Sequence, residues 1–589
     1  MSRYIEQRRI GALPQDAEFD LVVAGSGAAG LSAAAFAAVR GARVLVVERS
    51  GLLGGTSALT AGTLWIPGTD LALAAGAPKD DAEIAARFLA RATRGRSPDQ
   101  LREAYLATGP DAVRELVSRT RVSLAARTSH PDYMQEIEDA TARGHTLETS
   151  DFDASRLRCL GLVRTQSPEM TVFGGMMLSR TDLPELIEVA RGFWKPANWG
   201  RVVRAGLLLA RHLLGRLTHP RATRMTMGNA LVGSLLATLE DHDVPVAVST
   251  TIEEIITDVG RVSAVRVRQG AHVRTVRIRR GLISATGGFN RHPQRRQELL
   301  PGIDPSWSGI TEESTGQLHE LLEAQGAYYG PRWDTAAFWA PVSLPPRRHA
   351  LAGVYPHFSL DRAKPGFLAI DRSGRRFVNE STSYHRFGVA MQHSPDAIPS
   401  WLVCDRPAMR RYGIGAVRPG GWGRRRRIKD GYLIEARTLE ELAARLKIDS
   451  DVLEETIRTF NEYARTGSDR DFHRGTTVYE RSNADPSHQP NPSLGALRRG
   501  PFYAIRLYPG DIGTVTGFVT DACARVLTRS GDAIPGLYVV GNDMQSVMGD
   551  SYPGPGITLG PAVVFAYIAV RDALGESSLT QSAEPGDAR

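Results

Sequence analysis

The chain has 589 residues, 42% hydrophobic and 23% charged, with a formal charge of +8; this is ordinary globular composition, too long for one core, since single cores stop growing near ~250 to 300 residues. No window of roughly 18 uninterrupted apolar residues could span a bilayer, and the arginine excess has no aromatic-interleaved basic face of the kind that binds nucleic acid. Three cysteines, Cys159, Cys404 and Cys523, stand far apart without a CxxC pair, which argues against a disulfide framework or a metal site and predicts buried, inert thiols.

The opening residues, MSRYIEQRRIGALPQDAEFD, carry no apolar stretch after their charges, so no secretory signal is read and a cytoplasmic location is expected. Residues 20–50, DLVVAGSGAAGLSAAAFAAVRGARVLVVERS, then run from an apolar stretch through glycines into a small-residue helix and back to an apolar stretch. This pattern predicts a βαβ unit. Gly25, Gly27 and Gly30 have GxGxxG spacing: one for the tight turn, one for close approach of a pyrophosphate, one for helix against strand. Ser26, Ala28 and Ala29 complete the turn, and the helix start suits phosphates. Glu48, followed by Arg49, ends the second strand about 20 residues on, where a carboxylate accepts from ribose hydroxyls.

Directly after comes GLLGGTSALTAGTLWIPG. Gly54, Gly55, Thr56 and Ser57, continued by Ala61, Gly62 and Thr63, offer small residues and backbone donors for a second approach to a pyrophosphate and a flavin edge. This arrangement resembles the fumarate reductase and succinate dehydrogenase flavoprotein superfamily, which implies FAD. Members with covalent flavin carry a histidine in this segment. None occurs between Glu48 and Gly68, so non-covalent FAD is expected.

Residues 193–218, FWKPANWGRVVRAGLLLARHLLGRLT, place Leu and Val beside spaced Arg after two Trp. They predict an amphipathic helix, either packed on the protein or lying in a membrane interface. VRIRRGLISATGGFNRH reads as a strand entering a glycine turn, and similar flavoproteins return there to the cofactor, which makes Ala285, Thr286 and Gly287 candidate neighbours. Between roughly 330 and 510, shorter strands, prolines and aromatic clusters surround TLEELAARLKIDSDVLEETIRTFNEYART, whose spacing fits an amphipathic helix pair. The run Arg424 to Arg427 is read as a solvated surface turn.

The last motif is IPGLYVVGNDMQSVMGDSYPGPGITLGPAVVFAYIAV: a strand through Val540, a loop, and a small-residue helix. Gly541, Asn542 and Asp543 follow the strand. In the superfamily the helix start, with Gly556, Thr558 and Leu559, meets the flavin pyrimidine and stabilises negative charge on it. The final residues, from about 575, are polar and expected to be disordered.

YPGPG with TLGPA, together with GGTSALTAGTLWIPG, resembles the 3-ketosteroid Δ1-dehydrogenase family, and FDASRL, MGNALVGSLL, RFVNESTSYHRFG and GNDMQSVMG extend the likeness over most of the chain. The resemblance implies an α/β fold with a Rossmann-like FAD-binding domain and an inserted α+β substrate (capping) domain: 1–335, then 336–512, then 513–589. It implies that Tyr552 and the Gly556 N–H bind the substrate ketone as an oxyanion hole, that Tyr384 is the base and that Tyr133 assists it. Two departures stand out: SHPDYM surrounds Tyr133 in place of the family's YxDY-type run, and Gln317 replaces an acidic residue. His130 and His385 lie nearby in sequence without an assigned role.

The expected function is removal of hydrogen from C1 and C2 beside a ring ketone, with electrons passed to a quinone or another acceptor. A Δ4-(5α)-dehydrogenase, a fumarate reductase-like alkene reductase and a flavin-binding redox partner without turnover stay as alternatives. An aromatic, tyrosine-rich site suits an apolar ketone better than a dicarboxylate.

Overall fold

The computed structural model describes residues 10–14, 17–166, 171–182, 185, 198–347, 353–358 and 361–576. The expected βαβ unit is present: β1 (Glu18–Ala24), α1 (Ala28–Ala38) and β2 (Val44–Val47). Every residue of α1 is buried, which its alanines and glycine permit by letting neighbouring backbones come close. Gly25 and Gly30 show why glycine stands there. Gly25 has φ +105°, and a Cβ on it would lie 2.3 Å from Ala285 O; one on Gly30 would lie 2.0 Å from Gly25 O. No side chain fits between this helix and this strand.

A small sheet follows, with β3 (Thr63–Trp65) and β4 (Leu124–Ala126) both antiparallel to β5 (Thr146–Thr149). The predicted amphipathic helix is α2 (Trp199–Thr218), its expected residues 193–197 lying outside the described ones. After α3 (Met227–Asp241) come β6 (Val246–Ala247), β7 (Thr251–Asp258), β8 (Arg261–Gln269) and the long β9 (His272–Ser284).

A second, antiparallel sheet is built from β10 (Ala337–Ser343), β11 (Tyr355–Pro356), β12 (Phe367–Ile370), β13 (Ser400–Asp405), β14 (Ile434–Ala436) and β15 (Phe502–Thr514). Its order is β11-β10-β15-β13-β12, with β14 also on β15. The helix α4 (Tyr384–His393) packs on β10, and the expected helix pair is α5 (Leu439–Leu446) and α6 (Ser450–Thr466), capped by Thr438 and Asp449.

The chain returns to the first sheet through β16 (Arg525–Leu527) and β17 (Ala533–Val539) and ends in α7 (Leu559–Leu574), which packs on α1. That eight-stranded sheet runs β6-β2-β1-β9-β8-β7. Along one edge β9 hydrogen-bonds β1 in parallel; along the other it meets β8 first and β17 at its end. The parallel core places the carboxyl ends of β1, β2, β9 and β17 together, where ligands bind in open α/β sheets.

Two expectations are corrected or sharpened here. The Arg424–Lys429 run forms a helical turn in which Arg425 and Arg426 are exposed as expected, whereas Arg424 bonds Tyr503 Oη at 2.9 Å and Arg427 is buried against Asp430 and the Pro346 carbonyl. The three cysteines are buried and none is disulfide-bonded.

Candidate active site

A cleft opens at the carboxyl ends of the parallel strands. Gly25, Ser26, Gly27, Ala28 and Ala29 form one wall, Glu48 and Arg49 a second, and Gly55, Thr56 and Ser57 a third; Ala285, Thr286, Gly287, Gly541, Asn542, Thr558 and Leu559 complete it. Two helices begin on this wall, α1 after Gly27 and α7 after Thr558, and neither cap residue makes a side-chain capping bond. The Ala28 N–H is taken by Ser57 Oγ at 2.9 Å, and the remaining starting N–H groups and positive dipole ends suit a pyrophosphate and an anionic ring. A dinucleotide fits this donor set.

Other expected residues serve the cleft from behind. Gly30 and Gly54 allow close packing: a Cβ on Gly54 would lie 2.9 Å from Val232, and its N–H donates to Ser26 Oγ at 3.1 Å. The Asp543 carboxylate turns inward, accepting from Ser284 Oγ, the Thr286 and Gly288 N–H groups and His319. Its pKa sits at about 2, because His319 and these donors outweigh its burial. Ala61, Gly62 and Thr63 run from the Ser57 wall toward Gly556.

Glu48 grips the turn itself. Its Oε2 accepts from Ser26 N at 2.9 Å and Ser26 Oγ at 2.6 Å, and its Oε1 from Ser50 N at 2.7 Å. Burial raises its pKa. The wall also contains Arg164, Glu313, Thr315 and Gly316, which sequence reasoning missed. Arg164 and Glu313 pair at 2.8 Å. Gln317, the noted departure, also lines the cleft and opens a helix behind Gly316, whose φ is +65°.

Three expected tyrosines meet next to this cleft's far end. Tyr133 Oη donates to Tyr384 Oη at 3.5 Å, and the Tyr552 ring lies 5.8 Å from Tyr133 and 5.0 Å from Tyr384. A fourth, Tyr479, was not anticipated; its ring centroid is 4.6 Å from that of Tyr133. Phe338 and Phe358 close the aromatic box against Tyr552 and Tyr384. Tyr384 is the first residue of α4, capped by Ser383, whose Oγ accepts from Arg386 N; the helix start favours negative charge on it.

Each phenol is held in place. The Tyr133 N–H donates to Pro553 O at 2.7 Å, and the preceding Asp132 is locked by Trp65 Nε1 at 2.9 Å and His145 at 2.8 Å. The segment before Tyr384 is pinned by Glu380, which is buried and paired with Arg376 at 2.8 Å and Arg474 at 3.0 Å. Arg362, fully buried, donates to the Glu380 and Thr382 carbonyls and to His357 O, and it also bonds Tyr479.

Gly556 has φ +94°, and a Cβ there would lie 2.5 Å from Thr63 O. Its carbonyl accepts from Trp65 N and Gly560 N. Its N–H has no acceptor among the described residues. Only glycine combines that backbone with that contact.

Burial raises all four phenols. Tyr384 stands well above its ordinary value through burial, then Tyr133 and Tyr552. Tyr552 is pushed up to about 12 by burial, against the pull of the Tyr384 hydrogen bond. Tyr133 and Tyr479 are raised by burial as well. The neighbouring His385 is lowered to about 4 by burial, and its ring bonds the Trp339 N–H and the Asp550 carbonyl. It is a neutral wall of the box.

The chain is similar to several known proteins. A family model described as FAD binding domain matches residues 20–559. A 3-oxosteroid 1-dehydrogenase of Mycolicibacterium smegmatis is 33% identical over 94% of this chain and 97% of its own length. A 4-oxocyclohex-2-ene-1-carboxylate 5-dehydrogenase of Sinomonas cyclohexanicum is 34% identical over 94% and 93%. The crystal structure of 3-ketosteroid delta1-dehydrogenase from Sterolibacterium denitrificans, in complex with 1,4-androstadiene-3,17-dione, superposes with a TM-score of 0.86 at 31% identity, covering 95% of this chain and 100% of that one.

Proposed function

The chain belongs to the FAD binding domain family and, within it, to the 3-ketosteroid Δ1-dehydrogenase family; from that premise we propose that it dehydrogenates a ring ketone, introducing a C1–C2 double bond next to a steroid-like 3-ketone. The observation that carries this reading is the Tyr133–Tyr384–Tyr552 cluster beside the unbonded Gly556 N–H. Tyr552 Oη and the Gly556 N–H donate to the ketone oxygen, which acidifies the C2 proton and stabilises the enolate. Tyr384 accepts that proton, and Tyr133 supports the charge on its oxygen. Bound FAD supplies the acceptor for the hydride from C1.

The test is anaerobic bleaching of the holoenzyme by androst-4-ene-3,17-dione. The native protein bleaches and yields the Δ1 product, whereas Tyr384→Phe does not. Bleaching absent in the native protein, with fumarate reoxidising the reduced form, overturns the assignment.

We further propose that FAD is held non-covalently, supported by the lack of histidine between Glu48 and Gly68; acid denaturation then leaves the yellow colour in the supernatant. A quinone is the proposed acceptor, tested by quinone-dependent turnover. Peripheral membrane contact through α2 is supported by an exposed stripe of Trp199, Val203, Leu207, Leu214 and Leu217, the last 81% exposed, beside Arg201, Arg204, Arg211 and Arg216. No helix among the described residues is long and apolar enough to cross a membrane, so the contact is interfacial. Sedimentation with anionic vesicles, abolished in Leu207→Asp/Leu214→Asp, tests it.

A further inference from the structure

One group of cations beside the tyrosine box takes no part in the chemistry above. Arg127 follows β4; its Nε pairs with Glu148 at 3.2 Å, but its Nη1 is buried without a partner. His130, buried to 9% exposure, stands edge-on to Tyr133 at 6.2 Å between centroids, and its Nε2 also lacks a partner. Arg180 is near enough to act electrostatically on Arg127, His130 and Tyr133. It has no carboxylate within ion-pair range among the described residues.

Arg127 Nη1 and His130 Nε2 are therefore buried donors without an acceptor, and the exposed Arg180 adds a second positive charge close enough to act on both. Like charges so placed repel, and a buried donor without an acceptor is costly. Burial, Arg127 and Arg180 hold His130 well below its ordinary pKa, so the imidazole is neutral and contributes an N–H rather than a third charge. An anion with two oxygens satisfies all three at once, and guanidinium forks match a carboxylate best. Neither a bare cyclic ketone nor a neutral steroid supplies one.

We propose that Arg127, His130 and Arg180 form an anion seat beside Tyr133, and that the ring ketone oxidised by this protein carries a carboxylate. The inference rests on the dehydrogenase reading above and narrows its substrate class. A relative of equal similarity whose printed name includes a carboxylate on an oxocyclohexene ring accords with it. The shared chemistry, a keto acid, has two sources: a monocyclic one and a steroid with an acidic side chain.

The experiment uses the holoenzyme with two matched pairs: 4-oxocyclohexanecarboxylate against its methyl ester, and 3-oxochol-4-en-24-oate against its methyl ester. Each is measured with the native protein, Arg180→Gln and Arg127→Lys. The acid of one pair is expected to have the lower KM; Arg180→Gln raises that KM by about 10- to 100-fold while its kcat and the ester's KM hold, and Arg127→Lys, which keeps the charge, recovers part of the affinity. Which pair responds tells monocyclic from steroidal. Acid and ester used alike by native protein, or acid and ester equally impaired in Arg180→Gln, overturns the seat. If no ketone reduces the cofactor, the dehydrogenase reading fails. The seat is then judged by calorimetric binding of cyclohexanecarboxylate and cholanoate, which must weaken in Arg180→Gln for it to stand.

Discussion

Glu380 and Arg474 meet at 3.0 Å with neither side chain reaching solvent. The pair joins Arg376 and Asp469 in a buried network four residues ahead of Tyr384. Burial opposes the Glu380 charge, but Arg376 and Arg474 overcome it and lower its pKa. Glu380→Gln leaves two buried guanidinium groups facing a neutral amide, so a destabilisation of ~3 to 5 kcal/mol is expected, read as a lower midpoint in urea unfolding of the holoprotein.

Tyr384→Phe removes the proposed proton acceptor and is expected to leave the fold intact, because the ring stays in the aromatic box. The expected loss in kcat is ~10²- to 10⁴-fold, with substrate affinity largely kept. Tyr552→Phe removes one of the two proposed ketone donors, and ~10²- to 10³-fold is expected there. Steady-state kinetics on one substrate separates the two.

The pH dependence follows from the raised phenols. Burial holds Tyr384 and Tyr133 protonated well past neutrality and places Tyr552 at about 12. A base whose pKa is raised above the ordinary tyrosine value gains its acceptor form only as pH increases, so kcat/KM should still be climbing at about pH 10. Stability runs the other way: the neutral phenols contribute fully below the unfolded tyrosine value near ~10, and that contribution is lost as pH rises above it. A rate plateau below pH 7 contradicts the assignment.

Gly556→Ala forces a side chain into a backbone with φ +94° and places its Cβ 2.5 Å from Thr63 O. Strain of ~1 to 3 kcal/mol plus displacement of β3 is expected. The melting temperature should fall, and activity should fall further than in Tyr552→Phe, since the donor and the wall move together.

Much of this was legible because it is local. Gly25 and Gly30 announce a turn that nothing larger can make, and Tyr552 and Gly556 share one short motif. The cysteines and the helix pair follow from spacing. Tyr479 was not legible: it sits in the short helix Val478–Asn483 with no chemical pattern around it, and only the folding of distant segments brings it to Tyr133. Arg362 and the Arg164–Glu313 pair are invisible for the same reason, their partners being set by tertiary packing. In the arginine run at 424–427 the exposure of Arg425 and Arg426 was legible, but a charge cluster says nothing of acceptors such as the Tyr503 hydroxyl that takes up Arg424.

The parallel pairing of β9 with β17 joins Leu282–Ser284 to Leu537–Val539 across the whole antiparallel sheet between them. A ribosome has thus emitted the entire inserted portion before the first sheet can acquire its last parallel neighbour. During that interval the edge of β9 and the apolar face of α1 destined for α7 lack their final cover. Synthesis of this chain therefore includes an open stage in which these apolar surfaces are exposed to aggregation until the last segment arrives.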